Sequence, residues 1–358
     1  MRKTQLIYAS IIALGITISG CKKDDPIAPA TSTPASGYTN GVFITNEGPY
    51  GSGTGTVSFY SRSTGSVSAD IFNTKNGFPL GNVVQSMEIF NNKGYIVVNN
   101  SSHIERVDPT TFASDSAISG LSNPRYFLGI DSTKGYVSQW GAGATGEVKI
   151  VNLATRAIMG TIITGNGAEQ MVKIGNYVYV ACSGGYVNDS VVTVIDATTN
   201  AVVTNINVGA NPASLKTDAN GQLWVLCGGQ WNSGYTALVK TGSLVRINPS
   251  NNTITLSLPF ASTTAAPSHL IIDQNLTTLY YIYNGGVYAH AITSSVLSAS
   301  AVINRGFYSL GFDPVSHSIF ASDPVDYMSN GKVLRYQTSG TVVDSFAGGI
   351  IPGNFCFH

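Results

Sequence analysis

The sequence predicts an all-β fold, a seven-bladed β-propeller of four-stranded antiparallel blades. First, Tyr95, Tyr136 and Tyr177 stand 41 residues apart, each after a Gly or Asn at a turn and each opening an apolar run. A fixed period in the 40s, built only of strand-like runs, is the signature of propeller repeats. Second, a strand-turn-strand marker recurs seven times, as in Val194-Ile195-Asp196-Ala197-Thr198-Thr199-Asn200-Ala201-Val202. Third, only six units are complete: the first, from Gly41 to Phe72, lacks an innermost strand, and the C-terminal run Ile351–Phe357 supplies a spare one. Pairing the two closes the ring and removes the open sheet edges that invite aggregation.

Taken in order, the chain opens on a processing segment at residues 1–20. Arg2 and Lys3 form a basic start, and Leu6 to Ile18 is an apolar stretch too short to favour a spanning helix. Ile18-Ser19-Gly20-Cys21 reads as a bacterial lipobox with Cys21 as the lipidated residue. Residues 21–40 form a flexible tether rich in Pro, Ala, Thr and Ser. The propeller is expected over residues 41–358. Its units begin near Val84, Tyr126, Met171, Ser214, His269 and Tyr308. The marker aromatic of each later unit is Trp224, Tyr280 and Phe320, so the spacing widens to 47 and 56 and returns to 40. Asp, Asn, Thr, Ser and Gly fill the turns because they tolerate left-handed geometry or bond back to their own backbone.

Charge excludes some classes of partner. Charged residues make up 11%, with 19 Lys+Arg against 19 Asp+Glu. No clustered positive charge is present for nucleic acid or for an anionic membrane surface. Apart from Cys21, the cysteines are Cys182 and Cys227, at equivalent places in neighbouring repeats, and Cys356 in the closing strand. They read as small buried hydrophobes, because equivalent positions on adjacent blades are too far apart for a disulfide.

The propeller order places two sets of loops on opposite faces. The loop before each unit and the loop between its second and third strands share one face, and these are the longer, aromatic ones. They carry Glu47, Tyr50, Arg125, Trp140, Tyr186, Asn188, Gln230, Trp231, Tyr283, Asp323, Asp326 and Tyr327, the candidate ligand-binding residues. Tyr and Trp give contact area at low entropic cost, and neutral amides give adaptable hydrogen bonds. Such loops on a rigid scaffold suit a large, mostly neutral, polar ligand. Carboxylates on this face (Glu47, Glu169, Asp189, Asp323, Asp326) admit a glycosidase pair as a minor reading, although Asp323 and Asp326 look like turn formers beside Pro324. The five His are scattered, so no metal site and no cofactor are expected. No catalytic motif stands between a strand and a helix, and the chain is expected not to be an enzyme.

The repeat around Val194–Asn200 resembles the YncE-like seven-bladed propellers. Asn46-Glu47-Gly48, Ser322–Gly331, Gly348–Gly353 and the lipobox resemble the Bacteroidetes surface-lipoprotein branch, which contains the BtuG cobalamin-capture proteins. Lys22-Lys23-Asp24-Asp25 resembles the export signal of such lipoproteins. The resemblance implies a lipid-anchored outer-membrane protein facing the cell exterior. It would bind cobalamin or a related corrinoid and pass it to a TonB-dependent transporter. A glycan-binding or adhesion propeller is the alternative, and a polysaccharide hydrolase or lyase a third reading. The candidate residues above come from the loop argument and not from the resemblance.

Overall fold

The computed structural model describes residues 27–28, 37–143 and 145–358. The leader over 1–20 and the lipidation at Cys21 lie outside the described residues. Seven sheets stand around a central channel. Their inner strands are Pro352–Phe357, Val84–Phe90, Pro124–Gly129, Ala168–Ile174, Pro212–Thr217, Ser268–Ile272 and Ser309–Asp313, for blades one to seven. Blade one is composite: Gly41–Asn46 pairs antiparallel with the C-terminal strand, Phe43 opposite Cys356. The expected ring closure is therefore present. A side-chain clasp reinforces it, with Arg62 Nε and Nη2 donating to both carboxylate oxygens of the buried Asp313 in blade seven at 2.7 and 2.8 Å.

Two blades depart from four strands in detail. In blade six the fourth position is held by one bridge, Val287 to Ile303. Blade seven gains a short parallel strand, Ile27–Ala28, along Ser345 and Phe346. A single turn-and-a-half helix, Ile71–Asn76, links blades one and two among the described residues; Asp70 caps its start and Gly77, at φ 77°, its end.

The second strand of each blade is covered on both faces by neighbouring blades, so it reads as a continuous apolar run rather than an alternating one. Tyr177–Cys182 and Leu223–Cys227 are examples, buried over their lengths apart from Tyr177. At one register position of this strand every blade carries a buried aromatic: Phe43, Tyr95, Tyr136, Tyr179, Trp224, Tyr280 and Phe320. In blade four that residue is Tyr179, not Tyr177, which corrects the expected register. Tyr179 pairs with Val172 and Val194 as Tyr136 pairs with Leu128 and Ile150. Tyr177 follows a two-residue turn from Ile174, as Lys93 follows one from Phe90, and it is 40% exposed. The hydroxyls tie neighbouring blades: Tyr136 Oη donates to Asn200 Oδ1 at 2.5 Å, and Tyr179 Oη to Asn252 Oδ1 at 2.8 Å.

The core also includes a residue three positions before the strand Gly41–Asn46. Tyr38 is buried against Phe43, Phe59 and Phe112, and its N–H donates to Thr110 O at 2.7 Å. Thr110 lies in the turn between the third and fourth strands of blade two, on the face opposite the long loops. Cys182, Cys227 and Cys356 are buried free thiols.

Candidate functional site

A second recurring device shapes the loop-rich face. Just before the inner strand, Val83, Asn123, Gly167, Asn211 and Ile351 all have positive φ, between 50° and 63°. This left-handed step bends each chain from rim to channel. Blade six cannot use it, because the corresponding residue is Pro267, whose ring fixes φ near −65°. There the left-handed residue is His269 (φ 55°), inside a bulge of the inner strand. That shift turns His269 into the channel mouth, at a cost in strain of order 1–3 kcal/mol.

The mouth opens into a cavity of about 980 Å³, at the upper end of the usual range for small-molecule sites. Glu47, Tyr50, Gln85, Arg125, Tyr126, Trp140, Glu169, Gln170, Tyr186, Tyr235, His269 and Tyr308 line its upper part. On blades two to four these groups interlock. Arg125 Nε donates to both oxygens of the buried Glu169 at 3.2 and 3.1 Å, and its Nη1 donates to Gln85 Oε1. Trp140 Nε1 donates to Glu169 Oε1 at 2.9 Å. The Arg125 guanidinium lies over the Trp140 ring at 4.5 Å, and Tyr186 meets that ring edge-on at 5.4 Å. Burial alone would weaken the charge on Arg125, but the Glu169 carboxylate more than restores it and its pKa is raised. Four groups thus hold one another without a ligand.

Around the rest of the mouth the groups are neutral or lean towards it. Burial raises the pKa of Glu47, whose Oε1 accepts from Tyr308 Oη at 2.8 Å. Gly353 leaves room for that carboxylate: a Cβ there would stand 2.6 Å from Glu47 Oε1. Burial pushes the Tyr126 phenol up to about 12, so it remains a donor. It also lowers His269 to about 4, leaving a neutral imidazole. The His269 Nδ1 is enclosed and has no hydrogen-bond partner.

Of the twelve residues expected from the sequence, five line this cavity together: Glu47, Tyr50, Arg125, Trp140 and Tyr186. Tyr327 stands on the rim, edge-on to Tyr308 at 5.9 Å. The other six lie outside the cavity, each for a local reason. Asn188 is exposed in the Tyr186 loop, outside the cavity wall. Gln230 and Trp231 form a small hairpin with Leu238–Lys240, which carries Tyr235 to the mouth in their place. Tyr283 packs on Phe260 at 4.6 Å, and its oxygen accepts the Ser262 N–H at 2.8 Å. Asp323 accepts from Arg305 Nη2 at 2.9 Å and from the Val325 N–H at 2.9 Å. Asp326 accepts the Met328 and Ser329 N–H groups at 2.9 and 2.6 Å. Both aspartates are turn formers. Missed from that set were Gln85, Tyr126, Glu169, Gln170, Tyr235, His269 and Tyr308. Six of these sit within two residues of the start of an inner strand, or immediately before it, and that position is the signal that finds them.

Fold and site define a seven-bladed propeller with a preformed cavity at the mouth of its channel. The chain belongs to the family described as Domain of unknown function (DUF5074), which matches residues 40–341. No curated protein matches it. Among solved structures it is similar to a quinonprotein alcohol dehydrogenase-like protein from Bacteroides thetaiotaomicron. That match has 14% identity and a TM-score of 0.66, over 90% of this chain and 79% of that one. It is also similar to a functionally unknown protein from Desulfotomaculum acetoxidans, at 12% identity and TM-score 0.66, over 89% and 99%. Hydrazine synthase of Kuenenia stuttgartiensis matches at 14% identity and TM-score 0.57, over 75% and 88%. At these identities the likeness is one of fold.

Proposed function

We propose that this is a non-enzymatic, lipid-anchored binding protein of the outer membrane, facing the cell exterior, that captures a large polar ligand in the channel mouth. The observation that carries this reading is the lining of the 980 Å³ cavity: tyrosines, one tryptophan and side-chain amides around a charge-compensated Arg125–Glu169 pair. Such a wall offers contact area and hydrogen bonds to a neutral ligand. A corrinoid, cobalamin foremost, has that size and polarity, and the resemblance to the capture lipoproteins supports it. The ligand would then pass to a TonB-dependent transporter.

The chain joins the ring on the face opposite the mouth, through Tyr38. The test is titration of residues 37–358 with cyanocobalamin by calorimetry and thermal shift. The segment starts at 37 because Tyr38 belongs to the core. Saturable heat and a raised melting temperature are expected, since a ligand that binds only the folded state stabilises it. Absence of both at about 50 µM ligand, well above a micromolar Kd, would sink the corrinoid assignment.

Exposed tyrosines on the rim (Tyr50 64%, Tyr186 55%, Tyr235 57% exposed) favour a glycan as the second reading. A glycan-array signal without corrinoid binding would establish it in place of the first.

A further inference from the structure

Below the mouth, the inner strands present one residue each opposite the buried ring of aromatics. The seven are Cys356, Glu88, Leu128, Val172, Lys216, Ile271 and Gly311. Five are apolar or small. The other two carry opposite charges and stand on blades two and five, as far apart as a seven-membered ring allows. Leu128 in this ring lies three residues beyond Arg125, so the level is about 10 Å deeper than the mouth cluster at the usual strand rise. The cavity reaches this depth on blades five to seven, where Lys216, Ile271 and Gly311 are in its wall; Glu88 stands at the same level on blade two, outside that wall.

Neither charge is neutralised in place. Among the described residues no ion pair joins Lys216 to Glu88. Each nevertheless feels the other's field, and no other charged side chain acts on either. Glu88 in turn raises the pKa of the buried Cys356 thiol on blade one. Burial pushes Glu88 up to about 7 and lowers Lys216. Both side chains are half-buried, so each is partly desolvated and gains from a partner. A simple anion would be drawn to Lys216 and repelled by Glu88, and a simple cation the reverse. A group with one charge at each end satisfies both.

We propose that the channel floor is a second binding subsite, for a small zwitterion whose carboxylate meets Lys216 and whose ammonium meets Glu88. It is separate from the mouth and does not depend on what the mouth binds.

The experiment titrates the protein with ω-amino acids of increasing length, glycine to 6-aminohexanoate, with acetate and methylammonium as single-charge controls. Binding is read by ligand-observed NMR and by thermal shift. One length should bind saturably, and both controls should bind at least about tenfold more weakly, a 1.4 kcal/mol difference. Lys216→Met and Glu88→Gln should each lose at least tenfold. The exchange Glu88→Lys with Lys216→Glu should recover most of the binding, with the probe reversed. Two results overturn the proposal: no zwitterion binds, or acetate binds as well as the best zwitterion. If the single variants unfold, the wild-type length series and its controls still decide. Failure of cyanocobalamin to bind would leave this result untouched, so the two readings fail separately.

Discussion

The two halves of the mouth are built differently. On blades two to four, Arg125, Glu169, Trp140 and Tyr186 form a closed network in which each polar group has a partner. On blades five to seven the mouth carries His269 with an enclosed, unpartnered Nδ1, and left-handed Tyr235, Val325 and Tyr327 at φ 54°, 61° and 64°. The first half has its order in place before any ligand arrives. Left-handed backbone occurs in both halves, Val83 included, but the second adds unmet hydrogen-bonding capacity at His269, and such features persist where surrounding structure enforces them and cluster at functional sites. One half positions a ligand, and the other has something to gain from it.

The largest expected effect lies in the ordered half. Arg125→Ala leaves the buried Glu169 carboxylate with only Trp140 and Ser183 as side-chain donors. Breaking a buried pair on one side costs about 3–5 kcal/mol, measurable by urea denaturation. Arg125→Lys should fall between, since an ammonium keeps the charge but not the planar stack on Trp140. A cost under about 1 kcal/mol for Arg125→Ala would mean the network is not the rigid half.

A change of similar size tests the repeat that frames this half. Tyr179→Ala should cost about 3–5 kcal/mol, as for other buried aromatics, while Tyr177→Ala should stay within about 0.5 kcal/mol. Equilibrium unfolding of both variants reads the difference, and a larger loss for Tyr177→Ala would break the register. The sequence contains both tyrosines two apart on one face of the strand, so spacing alone cannot choose between them. The turn decides: Ile174 to Tyr177 matches Phe90 to Lys93. Ring closure, by contrast, was legible, because a missing first strand and a spare last one have one economical solution. Half-legible is the fair description of the mouth. Trp140 and Tyr186 were found because aromatic loops are conspicuous. His269 was not, because its place follows from Pro267 denying blade six the usual left-handed step. Gln230 and Trp231 drew attention as the insertion that stretches the period, yet their hairpin serves to lift Tyr235.

The second half should show itself in pH dependence. The folded pKa of His269 is depressed to about 4 from the usual 6.5. Between those values the unfolded chain binds a proton that the folded one does not. Stability from this group is therefore complete above pH 6.5 and lost as pH falls towards 4, by up to about 3 kcal/mol. Glu88 acts oppositely in part of the range: with its pKa raised to about 7, its stabilising contribution is full below 4.5 and lost as pH rises to 7. Urea midpoints for wild type, His269→Gln and Glu88→Gln between pH 4 and 8 separate the two. His269→Gln should flatten the acid side, and an unchanged slope would mean the imidazole is solvated.

The smallest effects concern the rim, and there the two halves compete directly for one ligand. Tyr186 is braced against Trp140 before binding, whereas Tyr235 rides on a hairpin with its backbone in the left-handed region. Holding a side chain in place before binding saves about 0.5–1.5 kcal/mol of immobilisation, which the Trp140 contact supplies for Tyr186. For a ligand that touches both, Tyr186→Ala should cost about tenfold in Kd and Tyr235→Ala about threefold, with folding stability nearly unchanged in each. Cyanocobalamin titration of the two variants makes the comparison. The reverse order would place the energetic centre of the mouth on blades five to seven. The strain around Tyr235 and His269 would then be relieved by the ligand, and the Arg125 network would be support for it.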